Sequence, residues 1–128
     1  MSKALSLALV LLFIAVTSHA QVPCPVMLVS GSSGQDSVTL SFRNKGKLPI
    51  EQLRLSCKSS AGRSANSACS TETGVFYPGM QYSIHIAYPN LRSRQVVVSV
   101  TEVVMSGGEH WDIQSPDKCR SLRISKRG

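Results

Sequence analysis

Val38-Thr39-Leu40-Ser41-Phe42-Arg43 decides the fold. Successive side chains of an extended chain point to opposite faces, so Val38, Leu40 and Phe42 share one face and Thr39, Ser41 and Arg43 the other. Asn44-Lys45-Gly46-Lys47 then supplies a turn between strands. The period-two pattern recurs along the chain. Val26, Leu28 and Ser30 begin a short first strand, with a turn expected at Gly31-Ser32-Ser33-Gly34. After Ile50, residues Leu53, Leu55 and Cys57 share a face while Arg54 and Ser56 face water. Val75-Phe76-Tyr77 is a short apolar piece ended by Pro78-Gly79, the pair that favours a type II turn.

Further on, Tyr82, Ile84, Ile86 and Tyr88 alternate with Ser83, His85 and Ala87, and Val96, Val98 and Val100 alternate with Val97, Ser99 and Thr101. Glu102 breaks that rhythm before Val103-Val104-Met105 resumes, which predicts a bulge or a bend. Gly107-Gly108 is a hairpin turn, His110-Trp111-Asp112-Ile113 a short strand, and Ser121 to Ser125 a weak edge strand. Seven or eight short strands with polar turns between them predict an all-β fold, an antiparallel sandwich of about seven strands. Two sheets face to face are the simplest way to bury one apolar face per strand, with an open barrel as the alternative.

The N-terminus is of a different kind. Lys3, then an apolar run from Ala4 to Val16, then Ser18-His19-Ala20 follow the charged, apolar, small-residue order of a cleaved signal peptide. The run is shorter than the roughly 20 residues of a membrane span, and no later segment is apolar enough to be one. Residues 1–20 are therefore set apart from a single domain at 21–128, and the product is expected to be secreted or periplasmic. With Lys3 set aside, 13 basic residues face seven acids, a formal charge of +6. Lys118, Arg120, Arg123, Lys126 and Arg127 make a basic C-terminal tail from about residue 118. Such a tail suits an anionic polymer, though no aromatic residue interleaves with it to stack on single-stranded bases.

All four cysteines follow the signal, and an even count in an exported chain points to two disulfides. Of three pairings, Cys57–Cys69 and Cys24–Cys119 are favoured. The first closes the hydrophilic loop Lys58 to Ala68, and the second clips the two ends of the domain together. No C-x₂-C pair is present and His85 and His110 stand apart, so neither a metal nor any other cofactor is expected.

No nucleophile elbow, H-E-x-x-H or phosphate loop occurs, so no catalytic residue is assigned and the chain is expected not to be an enzyme. His110 and Asp112 converge on one face of their strand while Glu109 diverges, which keeps a small hydrolase or inhibitor as a distant alternative. Trp111 is a core residue first and a ligand platform second. Tyr77, Tyr82 and Tyr88 carry the same ambiguity.

Two stretches resemble a known family. Phe42-Arg43-Asn44-Lys45-Gly46, followed by Pro49-Ile50 and Leu53, resembles the F-x-N-x-G…P-I motif of small exported bacterial immunoglobulin-like domains, including those akin to the FxLYD group. Val100, Val103, Gly107-Gly108 and Trp111 look like the V-x-x-V…DG-x-x-W ending of exported bacterial proteins, with Gly107 in the Asp position. The resemblance covers roughly residues 36–113. It implies an immunoglobulin-like sandwich that binds a protein or glycan partner without catalysis. Binding by an anionic polymer is the alternative. The residues expected to make contact are Arg120, Arg123, Lys126, Arg127 and Trp111, together with the Ser-rich loop between Cys57 and Cys69.

Overall fold

In the computed structural model, the Val38–Phe42 alternation becomes the second of eight strands among the described residues, and its inward residues Val38, Leu40 and Phe42 are buried. The structure describes residues 22–34, 36–59, 68–87 and 95–125. The strands are β1 (Val26–Ser33), β2 (Ser37–Asn44), β3 (Ile50–Ser59), β4 (Ala68–Phe76), β5 (Gln81–Ala87), β6 (Gln95–Met105), β7 (His110–Asp112) and β8 (Leu122–Ser125). They form two antiparallel sheets. One has the order β1-β2-β5; the other runs β4-β3-β6-β7, with β8 also on β6. This is an immunoglobulin-like sandwich in which the fourth strand joins the larger sheet. Leu53, Leu55, Val96, Val98, Val100 and Val103 face Val38, Leu40, Phe42 and Ile86 to make one core.

β7 and β8 are two pieces of one edge. His110 and Asp112 lie opposite Val104 and Glu102, while Leu122 and Ser125 lie opposite Val98 and Gln95. Both pieces thus run along the same strand in the same direction. Asp112 ends the first piece, because its Oδ1 accepts the Gln114 amide at 2.8 Å and its carbonyl accepts the Ser115 amide at 3.0 Å. Such side-chain turns compete with the ladder and release the chain from the sheet. Ile113, expected in this strand, therefore falls outside it and is exposed.

The expected turn at Gly31–Gly34 is displaced. β1 continues through Gly31 to Ser33, and the chain reverses between Ser33 and Ser37, where the Gly34 amide donates to the Ser37 carbonyl. Gly31 serves close packing instead. A Cβ there would sit 2.4 Å from Cδ1 of Ile124, so the glycine lets β8 approach β1 across the open side of the sandwich. The bulge near Glu102 is present: Arg54 pairs with Glu102 and Leu55 with Val100, leaving Thr101 as the extra residue. Its hydroxyl donates to the Arg54 carbonyl at 3.1 Å.

Asn44, the last residue of β2, is the single buried polar side chain among the described residues, at 0% exposure. Its Nδ2 donates to the carbonyls of Leu48 (2.9 Å) and Phe76 (2.8 Å), and its Oδ1 accepts the Gly46 amide (2.9 Å). Its backbone is tied as well: the amide donates to the Met80 carbonyl and the carbonyl accepts the Gly79 amide. Leaving buried partners of this kind unpaired costs about 1–3 kcal/mol each. Asn44→Ala is expected to lower the unfolding free energy by about 3 kcal/mol, by the same reckoning. The check is a urea titration, in which the midpoint falls while the m-value is unchanged.

Candidate interaction surfaces

One end of the sandwich gathers the segments before β1, between β2 and β3, between β4 and β5, and between β6 and β7. Asn44 binds two of these segments, those between β2 and β3 and between β4 and β5, as well as the last residue of β4. The Lys45 amide donates to the Pro25 carbonyl at 2.8 Å and the Ser106 amide to the Pro49 carbonyl at 3.0 Å. Between them lies a groove of about 500 Å³ lined by Val22, Pro23, Pro25, Leu48 and Met105, with Lys45, Lys47 and Glu109 also on its wall. Pockets that hold ligands are of this size and largely apolar.

The turn beside the groove places further apolar groups in solvent. Tyr77 is 57% exposed and Met80 55%, while Leu48 on the groove wall is 37% exposed. Gly79 sits at φ 77°, in the left-handed region that glycine tolerates, and the Met80 amide donates to the Tyr77 carbonyl, which closes the turn. The Tyr77 amide donates to the Tyr82 hydroxyl at 2.7 Å. Tyr82 in turn packs in an aromatic cluster with Phe42 and Phe76. Tyr77 thus projects from a rigid mount. Of the three tyrosines, Tyr82 is half-buried and Tyr88 lies outside the described residues.

The outer face of the larger sheet is ordered in cross-strand rows. Nearest the groove end are Gln52, Val104 and His110; then Arg54, Glu102 and Asp112; then Ser56 and Ser99; then Lys58, Val97 and Arg123. In the second row Arg54 and Glu102 approach to 3.8 Å. His110 sits diagonally between two carboxylates, with Nε2 3.3 Å from Glu102 and Nδ1 3.7 Å from Asp112. The convergence of His110 and Asp112 was legible from strand alternation, while Glu102 comes from a neighbouring strand. All three are on an open face, and among the described residues no group of three or more such side chains could hold a metal. His85 is likewise exposed, with its Nδ1 3.3 Å from the Thr39 hydroxyl.

Trp111 takes the first of its two expected roles, that of a core residue. It is 1% exposed, and its Nε1 donates to the Asp117 carbonyl at 2.8 Å. Burial of the ring removes it from any partner's reach. Its role is to anchor the excursion between β7 and β8. The Asp117 carboxylate accepts the Cys24 amide at 2.6 Å, and Cys119 is bonded to Cys24. The excursion thereby straps the larger sheet to the segment before β1. The second disulfide joins Cys57 to Cys69 across the β3–β4 pair. Arg120 is exposed just before β8, and Arg123 points outward from it. Lys126, Arg127 and residues 60–67 of the Ser-rich loop lie outside the described residues. The groove was not foreseen, because its wall comes from segments more than 80 positions apart.

No family model and no curated protein matches this chain. Six solved chains are similar to it in structure. The Northeast Structural Genomics Consortium target SoR45 is 19% identical over 80% of this chain and 83% of its own, with a TM-score of 0.47. A β-glucosidase from Kluyveromyces marxianus, also solved in complex with glucose, is 11% identical over 79% of this chain and 14% of the enzyme, with a TM-score of 0.41. Likeness at this level transfers no function. Among the described residues no helix is long and apolar enough to cross a membrane.

The strap can be tested against the shorter disulfide. Chain-entropy reasoning assigns about 3 kcal/mol to a short loop and near 5 to one of about a hundred residues. Replacing Cys24 and Cys119 by serine should therefore lower stability more than replacing Cys57 and Cys69, by about 1–2 kcal/mol in matched denaturant titrations.

Proposed function

We propose that this protein is an exported, non-catalytic immunoglobulin-like interaction module, secreted or periplasmic, that binds a protein partner through the groove end of its sandwich. The observation that carries this reading is the groove itself, with Leu48 on its wall, together with Tyr77 and Met80 exposed in the β4–β5 turn at the same end of the sandwich. Exposed aromatic and Met side chains on a rigid mount are the usual anchors of protein interfaces. Lys45 and Lys47 against the one Glu109 bias the wall toward a segment that joins apolar side chains to carboxylates. Export is supported by the N-terminal sequence and by two disulfides. A non-catalytic role fits the placement of His110, which lies on the open outer face of the larger sheet and does not itself line the groove.

The test places a photocrosslinking amino acid at Tyr77, and separately at Ser83 on the outer face of the smaller sheet, in the full chain expressed in its native cells. A discrete protein should be captured from Tyr77 and not from Ser83. Leu48→Glu with Met80→Glu should reduce capture about tenfold, as expected for loss of interface anchors. The thermal midpoint should be retained. Equal capture from both positions, or capture indifferent to the glutamates, would overturn the assignment.

A further inference from the structure

The excess positive charge of this chain is unevenly placed. At the groove end Lys45 and Lys47 share the wall with Glu109, and along the outer face of the larger sheet Arg54 lies 3.8 Å from Glu102, with Asp112 in the same row. Beyond that row the carboxylates stop. No acidic residue lies at 55–59, 95–101 or 120–125. There Lys58 on β3 lies opposite Val97 on β6, and Val97 lies opposite Arg123 on β8. Lys58 and Arg123 are both exposed and both alternate with inward residues, Cys57 and Ile124, that are buried. Two strand spacings set their backbones about 10 Å apart.

The row next to these cations is made of hydroxyls. Ser56 lies opposite Ser99, and the Ser99 hydroxyl is 2.8 Å from that of Ser121. Cations flanked by hydroxyls on a flat sheet match a polymer that alternates acidic groups with neutral hydroxyls. We infer that the outer face of the larger sheet at Lys58, Ser99, Ser121 and Arg123 is a second binding surface, for a linear acidic polysaccharide. Single-stranded nucleic acid fits less well, since no aromatic platform lies among these residues. An anionic membrane surface is ordinarily met by a cluster of four to eight basic residues. The surface is distinct from the groove end, so its failure would leave the proposed protein contact standing.

The test uses the full mature chain in affinity electrophoresis with alginate, a linear polyuronate, and with neutral dextran. Alginate should retard the protein in a salt-dependent way and dextran should not. Lys58→Gln with Arg123→Gln should weaken alginate binding about tenfold, the effect expected of two exposed ion pairs. Ser99→Ala with Ser121→Ala should weaken it further at constant charge. Lys45→Gln with Lys47→Gln, which removes the same charge at the groove end, should leave it within about twofold, since additivity holds for distant sites. Retardation lost equally in both charge pairs would mean net charge alone and would overturn the site. So would retardation that disappears on deleting residues 126–128 but survives Lys58→Gln with Arg123→Gln. Duplex DNA or phosphatidylglycerol vesicles bound more tightly than alginate through the same residues would overturn the polysaccharide assignment.

Discussion

A carboxamide offers two N–H donors and one strong acceptor, and at Asn44 all three are used inside the fold. The requirement is geometric. The two acceptors belong to different strands' connections, 32 residues apart in one case and four in the other. Only when β2, the following turn and the end of β4 are all in place can the group be buried without loss. This makes one end of the sandwich a single cooperative unit, and it ties the backbone at Leu48 and just before Tyr77 into the fold. It also gives physical content to the Phe42-x-Asn44-x-Gly46 pattern. Phe42 fills the core, Asn44 satisfies the turn, and Gly46 keeps close company with Pro25, whose Cβ would stand 3.1 Å from a side chain there.

The opposite constraint acts on the edge formed by β7 and β8. A continuous edge strand would expose a row of unpaired backbone groups to other chains. Here the edge is broken at Asp112, the intervening residues cross to Cys24, and the second piece packs Ile124 over Gly31 of β1. Lys118 donates from its ammonium to the Ile113 carbonyl within the same excursion. On the neighbouring sheet the edge strand β1 slips register between Leu28 and Ser30, which also disfavours edge pairing. The strap therefore closes one side of the sandwich and interrupts its template for association.

How far the sequence could be followed depended on how local each cause was. Strand alternation is local, and most of the strands and the weak β8 were legible from it, as was the break at Glu102; β4 was not, because Ala68–Gly74 carries no apolar alternation and only Val75-Phe76 marked its end. Cysteine parity indicated two disulfides. The glycine at position 31 misled because a turn and a close approach ask for the same residue, and only the position of Ile124, more than 90 residues on, separates the two. Trp111 was ambiguous for a related reason: its indole partner at Asp117 lies in irregular chain. The groove and the Lys58–Arg123 row could not be read at all from spacing. Both exist only through register, which ties residues 65 positions apart into one row. The basic tail was visible as a run of charge, but Arg123 belongs to a sheet and Lys58 to its far side.

The bond between Cys24 and Cys119 spans 95 positions, and a chain is made from one end. Cys69 emerges 12 positions after its partner Cys57, so the shorter bond can close early. Cys24 must wait with a free thiol until almost the whole domain has appeared, and throughout that interval Cys57 is its nearest neighbour along the chain. Rapid closure of Cys57–Cys69 removes that competitor. The spacing thus lets the small loop close before Cys119 exists, which would leave Cys24 with the one partner whose bond locks the finished sandwich.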